Sequence, residues 1–353
     1  MYKTVSINTV APKPAETSVL MIYTGGTLGM VYDKNKQLIP FDFEQILEKM
    51  PELHLFDCQL TVIAFEKPLD SANIQPLHWL ELAHIIHENY KLYDGFVILH
   101  GTDTMAFSAS ALSFLLENLS KPVVFTGAQL PVGAIRTDAR VNLVTALEIA
   151  SATAENGKFM VPEVCIFFND TLLRGNRAKK VETSRFDAFQ SDNYPFLAKV
   201  GVNLEFNTNA ILPLPEKELS VQTQLCTDIA LLKLFPGIHK SLIHNILHTN
   251  HLKGIILETF GSGNAPTDAW FVDLLREAID KGIFILNVSQ CSGGKVVHGK
   301  YATSRKLQEI GVLSAADTTT EAALTKMMYV LAKNLSPAET IKLLTTTLRG
   351  EMS

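Results

Sequence analysis

Short, almost unbroken apolar runs recur along the chain, and most are followed by stretches whose apolar positions return at helical spacing. The runs at 19–23 (VLMIY), 60–65, 95–99 (GFVIL), 123–126, 164–168, 254–258 and 284–288 read as strands buried on both faces. Helical periodicity covers 43–50, 77–90, 106–118 and 139–151, with Pro76 placed where a first helical turn accepts proline. Thr318 and Ser336 each precede a glutamate by three positions, Glu321 and Glu339, and read as capping boxes opening two C-terminal helices. Strand–helix alternation of this kind predicts an α/β fold, a mostly parallel sheet with helices on both faces. At 207–224 prolines and polar residues interrupt the pattern, and a strand-like run restarts it at 230–235. The expected organisation is a loosely held tail at 1–17, a larger N-terminal α/β catalytic domain at 18–206, a linker at 207–224 and a smaller C-terminal α/β domain at 225–353.

Composition removes several functional classes. A chain of 353 residues with 47% hydrophobic and 19% charged residues suits a globular protein of two domains. A net charge of −5 offers no electrostatic case for nucleic acid or an anionic membrane. No apolar run approaches the ~20 residues that span a bilayer, and the first residues lack the apolar stretch of a secretion signal. Cys58, Cys165, Cys226 and Cys291 are far apart with no CxxC pair, which predicts free thiols in a reducing, cytoplasmic compartment. Cys291 reads as a buried thiol packing as a small hydrophobe, with a ligand contact as the alternative.

The chemistry-bearing residues sit where strands end. Thr24-Gly-Gly-Thr27 follows the first run, and His100-Gly-Thr-Asp-Thr104 follows the third. In open α/β sheets ligands collect at such carboxyl ends. Each segment also has a plainer reading. The first is a connector or phosphate cradle; in the second, Asp103 or Thr104 caps the helix. Arg174-Gly-Asn-Arg-Ala-Lys-Lys180 reads as a solvated basic loop unless Lys180 reaches a hydroxyl. A threonine nucleophile needs a base or a hydrogen-bond relay. A lysine serves as that base only when desolvation outweighs neighbouring carboxylates, so Lys180 is either a proton shuttle or an ammonium holding the threonine oxygen. His244, His248 and His251 have a spacing that admits a metal, but Lys240 and Asn250 favour an exposed polar face. GxGxxG, the P-loop, GxSxG and HExxH are all absent.

Taken together, these segments resemble the cytoplasmic, type I L-asparaginases of the bacterial-type asparaginase/glutaminase family. The resemblance runs from about 18 to 352 through Tyr23-Thr-Gly-Gly-Thr-Leu-Gly-Met30, Asp70-Ser71, Asp94 to Met105, and Thr126-Gly-Ala-Gln-Leu-Pro131. It continues through Arg174-Gly-Asn-Arg177 with Lys180, Gly261-Ser-Gly-Asn-Ala-Pro266 and Leu348-Arg-Gly-Glu-Met352. It implies hydrolysis of L-asparagine to L-aspartate and ammonia by a homodimer or homotetramer, with no metal or cofactor and a site near a subunit interface. On matching positions it implies Thr27 as acyl-accepting nucleophile and Thr102, Asp103 and Lys180 as a second catalytic cluster. Asp70, Ser71, Thr102, Asp103, Ala128 and Asn264 would bind substrate, with the Thr102 and Ala128 amides at the oxyanion. Many members carry a tyrosine on the loop after the first motif. Here Leu38 occupies the aligned stretch, and Tyr301 is the stand-in, ahead of Tyr32. Some bacterial members bind a second asparagine through an arginine where this chain has Glu258, a charge that argues against the same pocket. A glutaminase, an amidotransferase-type amidohydrolase and a catalytically silent amino-acid sensor are the alternatives. The amidotransferase usually carries a further N-terminal domain, for which a first strand near residue 18 leaves no room.

Overall fold

The computed structural model describes residues 2–7, 17–32, 38–40, 50, 51, 53, 58–299 and 302–353. The helix expected at 43–50 lies outside the described residues except for Met50. Two compact units account for the chain, 1–191 with 195–221, and 192–194 with 222–353.

The first unit is built on nine strands: β1 (Tyr2–Ile7), β2 (Thr17–Gly25), β3 (Cys58–Leu69), β4 (Gly95–Leu99), β5 (Val123–Thr126), β6 (Val164–Phe168), β7 (Thr171–Arg174), β8 (Ala198–Val200) and β9 (Leu204–Phe206). Their spatial order is β1-β3-β2-β4-β5-β6-β7-β8-β9. The central five, β3-β2-β4-β5-β6, are parallel, while β1 and β7 to β9 add antiparallel edges. Tyr2–Ile7 is thus a paired strand rather than part of the loosely held tail expected at 1–17, because its backbone finds a partner in β3. Every side chain of β4, β5 and β6 is buried, as expected of parallel strands covered on both faces. The parallel order reverses between β2 and β4, where neighbouring connections leave in opposite directions and open a crevice at the strand ends.

Helices α1 (Pro76–Asn89), α2 (Met105–Leu115) and α3 (Ala139–Ser151) follow their strands within this unit. Pro76 occupies the first turn of α1 as expected. Helix α2 is buried at ten of its eleven positions, including Ser108, Ser110 and Ser113. It stops at Leu115 rather than reaching 118. Leu116 and Glu117 pair instead with Val221 and Ser220, and Asn118 takes φ 61°, so strand pairing overrides local helical preference.

The second unit holds a four-stranded parallel sheet, β10 (Ile229–Lys233), β11 (Gly254–Thr259), β12 (Phe284–Ser289) and β13 (Leu313–Ser314), in that order. Around it run α4 (Lys240–Leu247), α5 (Ala269–Asp280), α6 (Ala302–Glu309), α7 (Thr320–Ala332) and α8 (Pro337–Thr345). Its core gathers Ile243, Ile255, Leu257, Phe271, Leu275 and Ile285. Helix α8 opens with the expected Ser336–Glu339 capping box. Helix α7 is capped one residue later than expected, since Thr319 and not Thr318 accepts from the Ala322 amide. No described helix is long and apolar enough to cross a membrane.

Candidate active site

The four strand ends nearest the reversal are tied together by short contacts. After β2 the chain turns sharply, with Gly26 at φ +89°. An ideal Cβ there would lie 2.6 Å from the Gly101 nitrogen and 2.7 Å from its Cα. Only glycine permits both that dihedral and that approach. The Thr24 hydroxyl donates to Leu99 O at 2.9 Å, fastening the end of β2 to the end of β4. From β3, Ser71 is buried and its Oγ lies 2.5 Å from where a Cβ on Gly101 would fall. From β5, Thr126 O accepts from the His100 amide at 3.0 Å. Thr27, half-buried in the short turn Thr27–Gly29, directly follows that contact of Gly26 with Gly101.

Thr102-Asp103-Thr104 forms a single tight turn ahead of α2. Neither Asp103 nor Thr104 caps that helix. The Thr104 hydroxyl donates to Ser71 O at 2.7 Å, whereas Asp103 faces Lys180. The Lys180 ammonium donates to Thr102 Oγ1 at 2.7 Å and to Asp103 Oδ1 at 2.7 Å. Its side chain is 14% exposed and that of Asp103 65% exposed, so the pair spans from the protein interior to open solvent.

Local structure explains how a basic loop delivers that lysine. Contrary to a solvated loop, Arg174, Asn176 and Arg177 are all buried. Arg174 Nε pairs with Glu163 at 2.6 Å and its Nη2 donates to Ala210 O. Lys180 then lies on a two-residue strand opposite Phe189, which aims it back at Thr102. Ala128 is buried in the loop after β5. That loop is clamped by Asp138, which accepts from the Gln129 and Leu130 amides, and by Asn142, which donates to Gly127 O at 2.9 Å. Asp70 is exposed and its Oδ1 accepts from the Ala72 amide, fixing the turn that holds Ser71.

Asn264 belongs to the second unit, in the turn after β11 where Phe260 N donates to Asn264 O at 2.9 Å. Tyr301 lies outside the described residues, as does 33–37 of the loop after the first motif. Cys291 is exposed, a correction to the buried thiol expected. It follows the end of β12, a central strand of the second sheet, in a stretch exposed from Cys291 to Lys295, so packing never recruits it. The three histidines do not share one helix face. His244 lies on α4, His248 caps its end and bonds Glu277 at 3.1 Å, and His251 is past the helix at φ 65°. No group of three metal-ligating side chains occurs among the described residues. Glu258 is buried, accepting from the Thr320 hydroxyl and pairing with Lys233 at 3.0 Å.

Sequence reasoning missed the support beneath these residues. His100 is completely buried and burial pushes its imidazole down to about 4. It lies between Gly101 O, 2.7 Å from Nδ1, and the Ser108 hydroxyl, 2.9 Å from Nε2. Trp79 Nε1 donates to the same Ser108 oxygen at 2.8 Å. The available signal was a set of serines on a buried helix and a tryptophan on the helix before it.

A parallel sheet whose order reverses beside paired threonine turns, with a lysine held between a threonine and an aspartate, defines an amidohydrolase-like architecture. Family models described as "Asparaginase, N-terminal" and "Glutaminase/Asparaginase C-terminal domain" match residues 18–212 and 228–344, and the chain belongs to this asparaginase family. L-asparaginase 1 of Escherichia coli strain K12 is 40% identical over 338 residues, covering 95% of this chain and 98% of its own. The 60 kDa lysophospholipase of Mus musculus is 41% identical over 362 residues, covering 96% of this chain and 63% of that longer protein. The crystal structure of L-asparaginase I from Vibrio cholerae O1 superposes with a TM-score of 0.87 at 39% identity, covering 96% of this chain and 99% of that one.

Proposed function

We propose that this protein is an L-asparagine amidohydrolase that releases ammonia and L-aspartate through a β-aspartyl ester on Thr27. The observation that carries the reading is the meeting of the Thr27 turn with Gly101-Thr102, where Lys180 holds Thr102 Oγ1 and Asp103 together. Substrate enters with its α-ammonium on the Asp103 carboxylate, a charge-assisted contact. Its α-carboxylate lies at Ser71, in the turn that Asp70 braces. The Thr27 oxygen attacks the side-chain amide carbon, and the Thr102 and Ala128 amides hold the oxyanion, ordinarily a large share of acyl-transfer catalysis. The C–N bond breaks, the threonine proton leaves with ammonia, and water then hydrolyses the ester. Thr102 and Lys180 orient that water. Tyr301 is the proposed relay for the Thr27 proton, and Asn264 a proposed substrate contact.

The same reading places the catalytic domain at 18–206 and the smaller domain at 225–353, with a linker at 207–224. It places the protein in the cytoplasm, supported by free Cys58, Cys165, Cys226 and Cys291, as a homodimer or homotetramer. Glutamine is one methylene longer, a difference worth only about 1–3 kcal/mol, and its hydrolysis is the alternative activity. Ammonia release from L-asparagine over a concentration series tests the proposal. Thr27→Ala is expected to lose turnover by several orders of magnitude and still bind substrate. Near-normal turnover removes Thr27 from the nucleophile role, and binding without ammonia release by the wild type makes the protein an amino-acid sensor.

A further inference from the structure

We propose that His100 is a positioning residue for this reaction: its neutral ring, set in one tautomer by Ser108 and Trp79, grips the Gly101 carbonyl and so aims the Thr102 amide. The inference deepens the reading above and rests on its use of that amide at the oxyanion.

The tautomer follows from donor and acceptor types once burial keeps the ring neutral. Trp79 Nε1 is only a donor, so Ser108 Oγ accepts from it. The serine keeps its own proton to donate to His100 Nε2, which a neutral ring carrying its hydrogen on Nδ1 leaves unprotonated. Gly101 O is only an acceptor, so the ring hydrogen is on Nδ1. Every group in the chain from Trp79 to Gly101 is thereby satisfied with no proton to spare. Phe125 meets the ring edge-on, with centroids 5.8 Å apart. All the groups facing the imidazole from α1, α2 and β5 are uncharged, and burial keeps the ring neutral across ordinary pH.

Gly101 needs such a grip. Gly26 and Ser71 press so closely on its nitrogen and Cα that no side chain fits there. The missing Cβ that allows this approach also leaves its peptide least able to hold one orientation. In a trans peptide C=O and N–H point in opposite directions. Fixing Gly101 O toward His100 therefore fixes the Thr102 N–H away from it. A hydrogen bond accepted at the carbonyl also strengthens the donor on the same peptide.

Two substitutions separate this role from packing. The amide nitrogen in His100→Asn falls near Nδ1 and keeps the donation to Gly101 O. The longer side chain in His100→Gln reaches toward Ser108 and gives that donation up. For asparagine hydrolysis by the full chain, His100→Gln is expected to lose roughly tenfold to a hundredfold in kcat, with KM changed less than about threefold, because a misaimed oxyanion donor costs mainly in the transition state. His100→Asn should recover most of that loss. Equal kcat losses in two folded variants, or a loss confined to KM, overturn the proposal. A ¹⁵N spectrum of the wild-type imidazole decides the tautomer independently of activity. Nδ1-protonated nitrogen shifts from pH 5 to 8 are expected, and an Nε2-protonated ring overturns the grip. If the wild type releases no ammonia from asparagine, the substrate reading fails by itself, and the tautomer measurement still judges the clamp.

Discussion

Gly26→Ala tests whether the two threonine turns meet as described. The added Cβ would fall 2.6 Å from Gly101 N and 2.7 Å from Gly101 Cα, both backbone atoms that cannot rotate away. Relaxing such contacts to about 3.5 Å requires the turns to part by roughly 0.8–0.9 Å. A misplacement near 1 Å between reacting groups costs on the order of a hundredfold in rate. The alanine must also hold φ near +89°, a strain of about 1–3 kcal/mol. The expected result is a fall in kcat/KM for asparagine of about a hundredfold, accompanied by that modest loss of stability. Gly157→Ala is the matched control. Its φ is +74° with no atom within 4 Å of the new Cβ, so it carries strain without a clash and should lose stability but keep kcat/KM. Ammonia release and thermal unfolding on the same preparations provide both readouts. Wild-type kcat/KM in Gly26→Ala would refute the convergence of Thr27 and Thr102 on which the site is built.

Three further outcomes are expected. Lys180→Met should lower kcat by about a hundredfold or more while KM moves little, since a positioned proton-handling group contributes on that scale; the ion pair with an Asp103 that is 65% exposed adds little to folding. A pure KM effect in steady-state kinetics would reassign the lysine to binding. Glu351→Gln strands the Lys326 ammonium, which pairs with Glu351 at 2.6 Å where both side chains are 0% exposed, and should cost about 3–5 kcal/mol in denaturant unfolding. A loss below about 1 kcal/mol would show that Thr346 O, 2.6 Å from the ammonium, suffices. The third outcome concerns acid. His100 titrates at about 4 when folded, against 6.5 when exposed. The unfolded chain therefore takes up the proton first, and stability is fully present above 6.5 and lost as pH falls toward 4. The loss reaches about 3 kcal/mol. His100→Asn should flatten that slope in melting curves, and an unchanged slope would disprove it.

The strands were legible because burial on both faces leaves a continuous apolar run, and 95–99, 123–126 and 164–168 keep those bounds in the fold. Helix ends were less legible. Thr318 and Thr319 offer the same hydroxyl, and only the chain's path decides which meets the Ala322 amide. The extension of α2 to 118 failed because Leu116 pairs with Val221, more than a hundred residues away. Lys180 beside Thr102 was an expectation from motif order. Its support, Arg174 on Glu163 and the turn to Phe189, has no local signature. Cys291 misled because its composition suits a core, while its position past a strand end leaves it outside.

By itself, the sequence determined the alternating α/β plan, the strand-end placement of Thr27 and Thr102-Asp103, and the family. These depend on patterns within one run or turn, where side-chain type and spacing carry the physics. The tertiary structure alone decided that Gly26 lies against Gly101, that Ser71 closes on the same residue, and that Thr104 bonds Ser71 rather than capping a helix. It also decided that a neutral, buried His100 stands beneath the turn. Such contacts join residues tens of positions apart through strand order and burial, and neither quantity is encoded in any short stretch of chain.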